Sequence, residues 1–236
     1  MDWINKDNVI GYFGSLEDNL YNANQYDENK FHTIIKKIRD KTNVHIDCVF
    51  FPKQIHTAKV IAVDETTRLE KPIHLFHEKA DAIITKEKNI AIGVVTADCL
   101  PVFLYDKKNK AIGVIHAGWR GLASKIITTT IIKMRDHFKT NAQDLQAYLG
   151  PSAGVCCYEV QAEFLSHFPQ SLIEERSEKL FFNPKNAGIA ELVENEVLIN
   201  HIDTSHHSCT ICSEQYCSVR RQKEKAGRQP SFIFFR

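Results

Sequence analysis

Three apolar runs in quick succession, 90–96, 100–105 and 111–115, constrain this chain most. Runs this continuous suit strands covered on both faces, because a solvated face would show a polar residue at every second position. The link Asp106-Lys107-Lys108-Asn109-Lys110 is polar throughout and reads as a hairpin turn. Such a core needs covering layers. With 236 residues, 43% of them hydrophobic and 25% charged, the chain has the side chains for them.

The ends of these strands carry the chemistry. Thr96-Ala97-Asp98-Cys99-Leu100-Pro101 lies between the first two runs, and His116-Ala117-Gly118-Trp119-Arg120-Gly121 follows the third. His56, in Gln54-Ile55-His56 after another strand-like run, is a third candidate. Two imidazoles and one thiolate suit zinc, and three protein ligands leave the open position of a catalytic site. Such an ion lowers the pKa of its water and supplies a nucleophile near neutral pH. Each residue also has a plainer reading. Free cysteine is usually a small buried hydrophobe. A histidine in a polar loop is ordinarily a surface residue, and Gly-Trp-Arg-Gly can be a capping turn with a solvated arginine. Asp98 weighs against the plain reading of Cys99. A carboxylate at a strand end is costly to bury alone, and it suits an acceptor that orients a ligand imidazole. Arg120, near the start of the following helix, is placed to meet phosphate or carboxylate.

Apolar spacing predicts helices over 31–39, 122–138, 157–168 and 189–202. Strands are predicted over 44–50, ended by Pro52, and over 60–63, 82–85, 145–149 and 231–235. Glu174, Glu175 and Glu178 read as a solvated loop. Hairpins mixed with helical crossovers predict one α+β domain over 1–236, a mixed sheet with covering helices. The net charge of +1, with no run of like charge, gives no electrostatic case for nucleic acid or a membrane surface. No apolar stretch approaches the roughly 20 residues that span a bilayer. Met1-Asp2-Trp3-Ile4-Asn5-Lys6-Asp7 lacks the apolar segment of a signal peptide, so a cytoplasmic location is expected.

Seven cysteines in a chain without a secretory signal read as thiols or metal ligands, not as a disulfide framework. His206-His207-Ser208-Cys209-Thr210-Ile211-Cys212 contains a C-x-x-C, and Cys217 follows. With no second C-x-x-C, no second metal site is expected, and Cys212 and Cys217 are predicted to ligate nothing. Cys156-Cys157 are expected to open a helix with one side chain in the core. Arg220-Arg221 and Gly227-Arg228 form an arginine set that, beside a pocket, would hold phosphate; the plain alternative is a basic solvated loop.

Taken together, these segments resemble the YfiH-like family, long labelled multicopper polyphenol oxidoreductase or laccase and now regarded as zinc-dependent purine nucleoside enzymes. The matching segments are Gln54-Ile55-His56, Ala80-Asp81-Ala82-Ile83-Ile84-Thr85, the cysteine and histidine motifs above, and Leu149-Gly150-Pro151-Ser152-Ala153-Gly154 with Cys157-Tyr158-Glu159-Val160. Cys209-Thr210, Ser218-Val219-Arg220-Arg221 and Gly227-Arg228 follow in the family order. The resemblance implies a single α+β domain with zinc held by His56, Cys99 and His116. It implies purine nucleosides and phosphate as partners: phosphorolysis of adenosine, inosine, guanosine and methylthioadenosine, and deamination of adenosine. Arg120, Arg220 and Arg221 are the candidate phosphate holders. Two positions depart from the family pattern. Tyr216-Cys217 stands where an aromatic pair is usual, and Gln222 where an acidic residue is common.

Other chemistries fit some of these residues. A copper-dependent polyphenol oxidase also wants two histidines and a cysteine, with a weak axial ligand such as methionine. Only Met1 and Met134 exist, and Met134 falls mid-helix on a core face. Cys99 as nucleophile with His116 as base would make a cysteine amidase or a peptidoglycan-editing hydrolase; some relatives of the family are tied to cell-wall peptide editing. A metal-stabilised binding module is the non-enzymatic reading.

Overall fold

The computed structural model describes residues 2–22, 25–64, 67 and 73–236. Two six-stranded sheets lie face to face, with helices on their outer faces. The first sheet runs Asp2–Lys6, Val9–Phe13, Gln229–Phe235, Ile90–Thr96, Cys48–Lys53, Ile73–Lys79. The second runs Ile202–Asp203, Leu145–Leu149, Leu100–Asp106, Ala111–Ala117, Ala82–Thr85, Val60–Ala62. Each mixes parallel with antiparallel pairs, and the fold is α+β.

Strand alternation assigns the faces. Along Leu100–Asp106, Phe103 and Tyr105 enter the core between the sheets with Phe13, Ile92, Val114 and Ile233. Val102 and Leu104 pack instead on Ile127, Ile131 and Met134 of the helix Ile126–Phe138. On the far side, the helix Glu28–Thr42 lays Phe31, Ile34, Ile35 and Ile38 over Phe51, Val95, Phe232 and Phe234. Asp27 starts that helix by accepting the N–H groups of Asn29 and Lys30, and Asn43 ends it at φ 53°. The three apolar runs are buried at every position. Full burial of one such aliphatic side chain contributes about 1.5–3 kcal/mol.

Five local expectations are corrected. Pro52 does not end its strand. Cys48–Lys53 continues through it, and the register with Ile73–Lys79 shifts between Phe51 and Lys53, so the missing N–H falls at an irregularity. The predicted helix over 122–138 is two helices, Trp119–Ala123 and Ile126–Phe138, parted at Lys125 with φ 60°. Segment 157–168 forms the strand Glu159–Val160 and the 3₁₀ turn Ala162–Ser166 instead of a helix. The acidic stretch is a hairpin of Ile173–Arg176 and Lys179–Phe182, turned at Ser177 and Glu178, both at positive φ. The last predicted helix is displaced to Pro184–Glu194, where Asn183 caps it, and Ile202–Asp203 is a strand. Among the described residues, no helix is long and apolar enough to cross a membrane.

The sheet order positions the site. Residues 97–99 carry the chain from Ile90–Thr96 in the first sheet to Leu100–Asp106 in the second. Cys99 therefore lies at one end of the sandwich, between the sheets. His116 pairs across from Pro101 in the second sheet, and His56 follows Cys48–Lys53 of the first.

Candidate metal centre

Three chain segments are drawn together here by side-chain bonds. Gln54 extends the first sheet: its Nε2 donates to the carbonyl of Val95 and its Oε1 accepts the N–H of Val95, each at 2.8 Å. This fixes where the next turn begins. Asp81 then shapes the turn. Its carboxylate accepts the N–H groups of Ile55, His56 and Thr57 and the Thr57 hydroxyl, at 2.7–3.3 Å. His56 sits at φ 59°, a left-handed conformation that costs a non-glycine residue energy and persists only where its surroundings enforce it. The same carboxylate lies 2.9 Å from Nδ1 of His116. That bond places the ring proton on Nδ1 and leaves Nε2 as the donor atom.

The result is a compact ligand set. Donor atoms of His56, Cys99 and His116 lie within 4.8 Å of one another, with Cys99 Sγ 4.0 Å from His56 Nε2. His116 is buried, Cys99 half-buried and His56 exposed, so the set opens to solvent on one side. Gly118 keeps the space clear. A Cβ there would stand 3.1 Å from both Cys99 Sγ and His56 Cδ2. Donor types, separation and the cleared space fit one metal ion with a position left open.

The electrostatics agree. Burial opposes an ionised Cys99, but the charge and hydrogen bond of His116, aided by His56, hold the thiol down to about 6. Burial opposes a charged His116 as well; the Cys99 thiolate and the Asp81 carboxylate lift it to about 9. Asp81, despite burial, is held down to about 2 by its bonds from His116 and Thr57. At neutral pH the metal-free pair is therefore a thiolate beside an imidazolium, a competent nucleophile whose imidazolium gives up its Nε2 proton when a cation binds.

A cleft of about 440 Å³ opens over the three residues, with Gln54, Lys53 and Arg228 also on its wall. A larger cavity of about 590 Å³ lies between Lys6, Tyr105, Lys108, Asp144, Tyr148 and His201 and contains no thiol.

The structure redistributes the other candidates. Asp98 does not orient an imidazole. Its oxygens accept the hydroxyl of Thr210 at 2.7 Å and the N–H of Arg220 at 2.8 Å, and it holds φ 88°. Asp81 does that work. Both are carboxylates at strand ends, the same signal in the sequence, but only the register of Ala82–Thr85 beside Ala111–Ala117 brings Asp81 to His116. Arg120 is exposed and stacks over the Trp119 ring at 4.3 Å, outside the cleft lining. Arg220 lies over Tyr158 at 5.0 Å and donates to the carbonyl of Glu159. Arg221 is spent on the backbone, donating to the carbonyls of Thr210, Ile211, Ser213 and Tyr216. The basic groups that do line the cleft are Lys53, which the sequence reading missed, and Arg228, the last member of its arginine set. Met134 is fully buried between helix and sheet, away from the cleft, and Met1 lies outside the described residues.

The cysteines also need correction. Cys156 and Cys157 open no helix, and neither is in the core. The C-x-x-C does not stand alone, because the adjacent pair Cys156-Cys157 meets Cys209 and Cys212 in a second compact cluster. Cys217 is buried elsewhere, its N–H donating to Gln229.

Residues 13–236 match the family described as multi-copper polyphenol oxidoreductase laccase. The chain belongs to that family. A purine nucleoside phosphorylase of Clostridium acetobutylicum is 34% identical over 227 residues, 94% of this chain and 90% of its own length. One from Aquifex aeolicus is 39% identical, over 78% of this chain and 82% of its own. An adenosine deaminase, RL5, from an unknown prokaryotic organism is 33% identical over 81% of this chain and 76% of its own. A solved structure, the Bacillus licheniformis hypothetical protein YfiH, superposes with a TM-score of 0.82 at 25% identity, covering 97% of this chain and 93% of that one.

Proposed function

We propose that this chain is a zinc-dependent purine nucleoside enzyme. It would cleave adenosine, inosine, guanosine and methylthioadenosine with phosphate and deaminate adenosine with water. The observation that carries this reading is the converging of His56, Cys99 and His116 within 4.8 Å in a cleft whose wall also presents Lys53 and Arg228. The names of relatives that span most of this chain supply the substrate class.

A zinc ion bound by these three residues supplies Lewis acidity and activates water at neutral pH. The rest falls to the chain. Asp81 fixes the tautomer of His116 and the turn of His56, so both donor atoms are aimed before substrate arrives. Lys53 and Arg228 place positive charge where phosphate would sit beside the ribose C1′. In phosphorolysis a phosphate oxygen bonds to C1′ as the C1′–N9 bond breaks, and the purine leaves with the electron pair and takes a proton. In deamination the water oxygen bonds to C6 and ammonia leaves.

One observation favours a second reading. Cys99, His116 and Asp81 stand in the order of nucleophile, base and orienting acid, with the thiol held down to about 6. That arrangement suits a cysteine amidase.

The test is to incubate the purified protein with adenosine, with and without phosphate, and to repeat after chelation and zinc return. Expected products are adenine with ribose 1-phosphate, and inosine with ammonia, both lost on chelation and restored by zinc. No turnover of any purine nucleoside by zinc-loaded protein would overturn the proposal. Restoration by copper in place of zinc, with oxidation of a phenol, would favour the oxidase. Amide hydrolysis that survives chelation would favour the thiol nucleophile.

A further inference from the structure

The second cysteine cluster is built by two loops that the backbone joins directly. Ser152 N–H donates to the carbonyl of Ser208 at 3.1 Å, and Thr210 N–H donates to the carbonyl of Ser152 at 3.0 Å. This short parallel bridge sets Cys156-Cys157 opposite Cys209-x-x-Cys212. All four sulfurs lie within 4.8 Å of one another. The Cys156–Cys212 sulfurs are 3.8 Å apart. Four thiolates at about 2.3 Å around a tetrahedral zinc ion stand about 3.8 Å from each other. A disulfide would need about 2.05 Å.

Two further features point to an ion. The first is room and polarity at Gly154. Its N–H donates to Cys209 Sγ at 3.2 Å, and a Cβ there would stand 2.9 Å from Cys209 Cβ and 3.1 Å from Cys156 Sγ. The second is that the loops are held in shape by the protein itself. Arg221 gathers the carbonyls of Thr210, Ile211, Ser213 and Tyr216 around the C-x-x-C turn. Arg176 donates to the carbonyl of Val155, next to Cys156, which brings positive charge beside a set that carries two net negative charges once four thiolates hold a divalent ion. Cys156 and Cys212 are exposed, so an ion has a way in.

We propose that Cys156, Cys157, Cys209 and Cys212 form a structural zinc site, closed and four-coordinate, distinct from the cleft centre. Each thiol gives its proton to solvent and its sulfur lone pair to the ion, and no oxidation state changes. The site staples the two loops on which Asp98 rests. Ala153 N–H donates to the Asp98 carbonyl at 2.8 Å, and Thr210 donates to its carboxylate. Asp98 directly precedes Cys99, so the staple steadies one flank of the cleft without touching it. The proposal does not depend on the purine reading.

The test is zinc content per chain, by elemental mass spectrometry, in full-length protein loaded with zinc and then desalted. The variant His56→Ala/Cys99→Ser, which strips the cleft of two donors, is expected to keep one zinc per chain. The variant Cys156→Ser/Cys212→Ser is expected to hold one zinc fewer than wild type. With cobalt in place of zinc, the cleft variant should show thiolate-to-cobalt charge transfer of four-sulfur intensity. A cleft variant that holds no zinc overturns the proposal. So does an unchanged zinc content in the Cys156/Cys212 variant. So does a thiol titration of denatured, chelated wild type that finds two fewer than the seven cysteines, since that reports a disulfide. Should the cysteine variant fail to fold, the cleft variant and the thiol titration still decide. Undiminished purine turnover in the cleft variant, with the four-thiolate zinc retained, would count against the cleft reading alone.

Discussion

Asp81 and His116 are joined twice: the carboxylate lies 2.9 Å from the imidazole Nδ1, and the His116 N–H donates to the Asp81 carbonyl at 2.7 Å. One residue thus positions a strand, an imidazole and, through the 55–57 turn, a second imidazole. Asp81→Asn should weaken zinc binding by about 10- to 100-fold. Competition against a chromogenic chelator measures this, with thermal unfolding run in parallel to separate ligand misplacement from loss of fold. Unchanged zinc affinity would remove Asp81 from the centre.

Gly118 offers a narrower probe. Its backbone, φ −70° and ψ 164°, is open to alanine, so Gly118→Ala should fold normally. The three heavy atoms nearest the new Cβ all belong to the ligand set, Cys99 Sγ and His56 Cδ2 at 3.1 Å and His116 Cε1 at 3.7 Å. Displacing reacting groups by a fraction of an ångström should lower turnover by roughly tenfold, together with zinc occupancy. Wild-type rates and metal content would show that the space beside Cys99 is not used.

Phosphate should depend on the cleft's own cations. Loss of a charge-assisted hydrogen bond is worth about 1.5–3 kcal/mol, roughly 10- to 100-fold. Arg228→Ala is therefore expected to raise the phosphate KM by that factor while leaving adenosine deamination, which uses no phosphate, near wild type. Arg120→Ala provides the contrast. If it raises the phosphate KM as much as Arg228→Ala does, the anion seat lies on the Trp119 side instead.

Acid stability carries a signature of Asp18. This carboxylate is 3% exposed and accepts the Tyr12 hydroxyl at 2.5 Å, the Ser15 N–H at 3.0 Å and Lys37 Nζ at 3.2 Å. Burial pushes its pKa up, but these partners outweigh it and hold it below 3.8. A carboxyl with a depressed folded pKa stabilises fully above its unfolded value and loses that contribution as pH falls through the folded one. Asp18→Asn should cost about 1.5–3 kcal/mol at pH 7, and the gap to wild type should close as pH drops below about 4. Denaturant unfolding across that range measures it; a gap independent of pH would assign the loss to packing.

Much of this architecture is legible in the sequence where burial is two-sided. The runs at 90–96, 100–105 and 111–115 announce strands because they are apolar almost throughout, Thr96 apart, and Cys99 and His116 stand out as polar breaks at their ends. The N-terminal hairpin is quieter. In its first, edge strand the adjacent Asn5 and Lys6 are both exposed, which breaks the alternation that marks a half-buried strand. Asp81 escaped because its role depends on register across sheets, not on neighbours in sequence. The cysteine cluster escaped for a related reason. Its two halves lie on loops far apart in the chain, and only the Ser152–Cys209 bridge aligns them.

The strand Gln229–Phe235 lies inside the first sheet, pairing Ser231 with Phe13 on one side and Gln229 with Thr96 on the other. On the ribosome the hairpin of residues 2–13 therefore emerges long before its inner neighbour has been translated. Until then Val9–Phe13 and Ile90–Thr96 present open backbone edges that can pair with other chains. The first sheet can close only once residues 229–235 have emerged, by insertion of a late strand between early ones. Such long-range pairing slows folding.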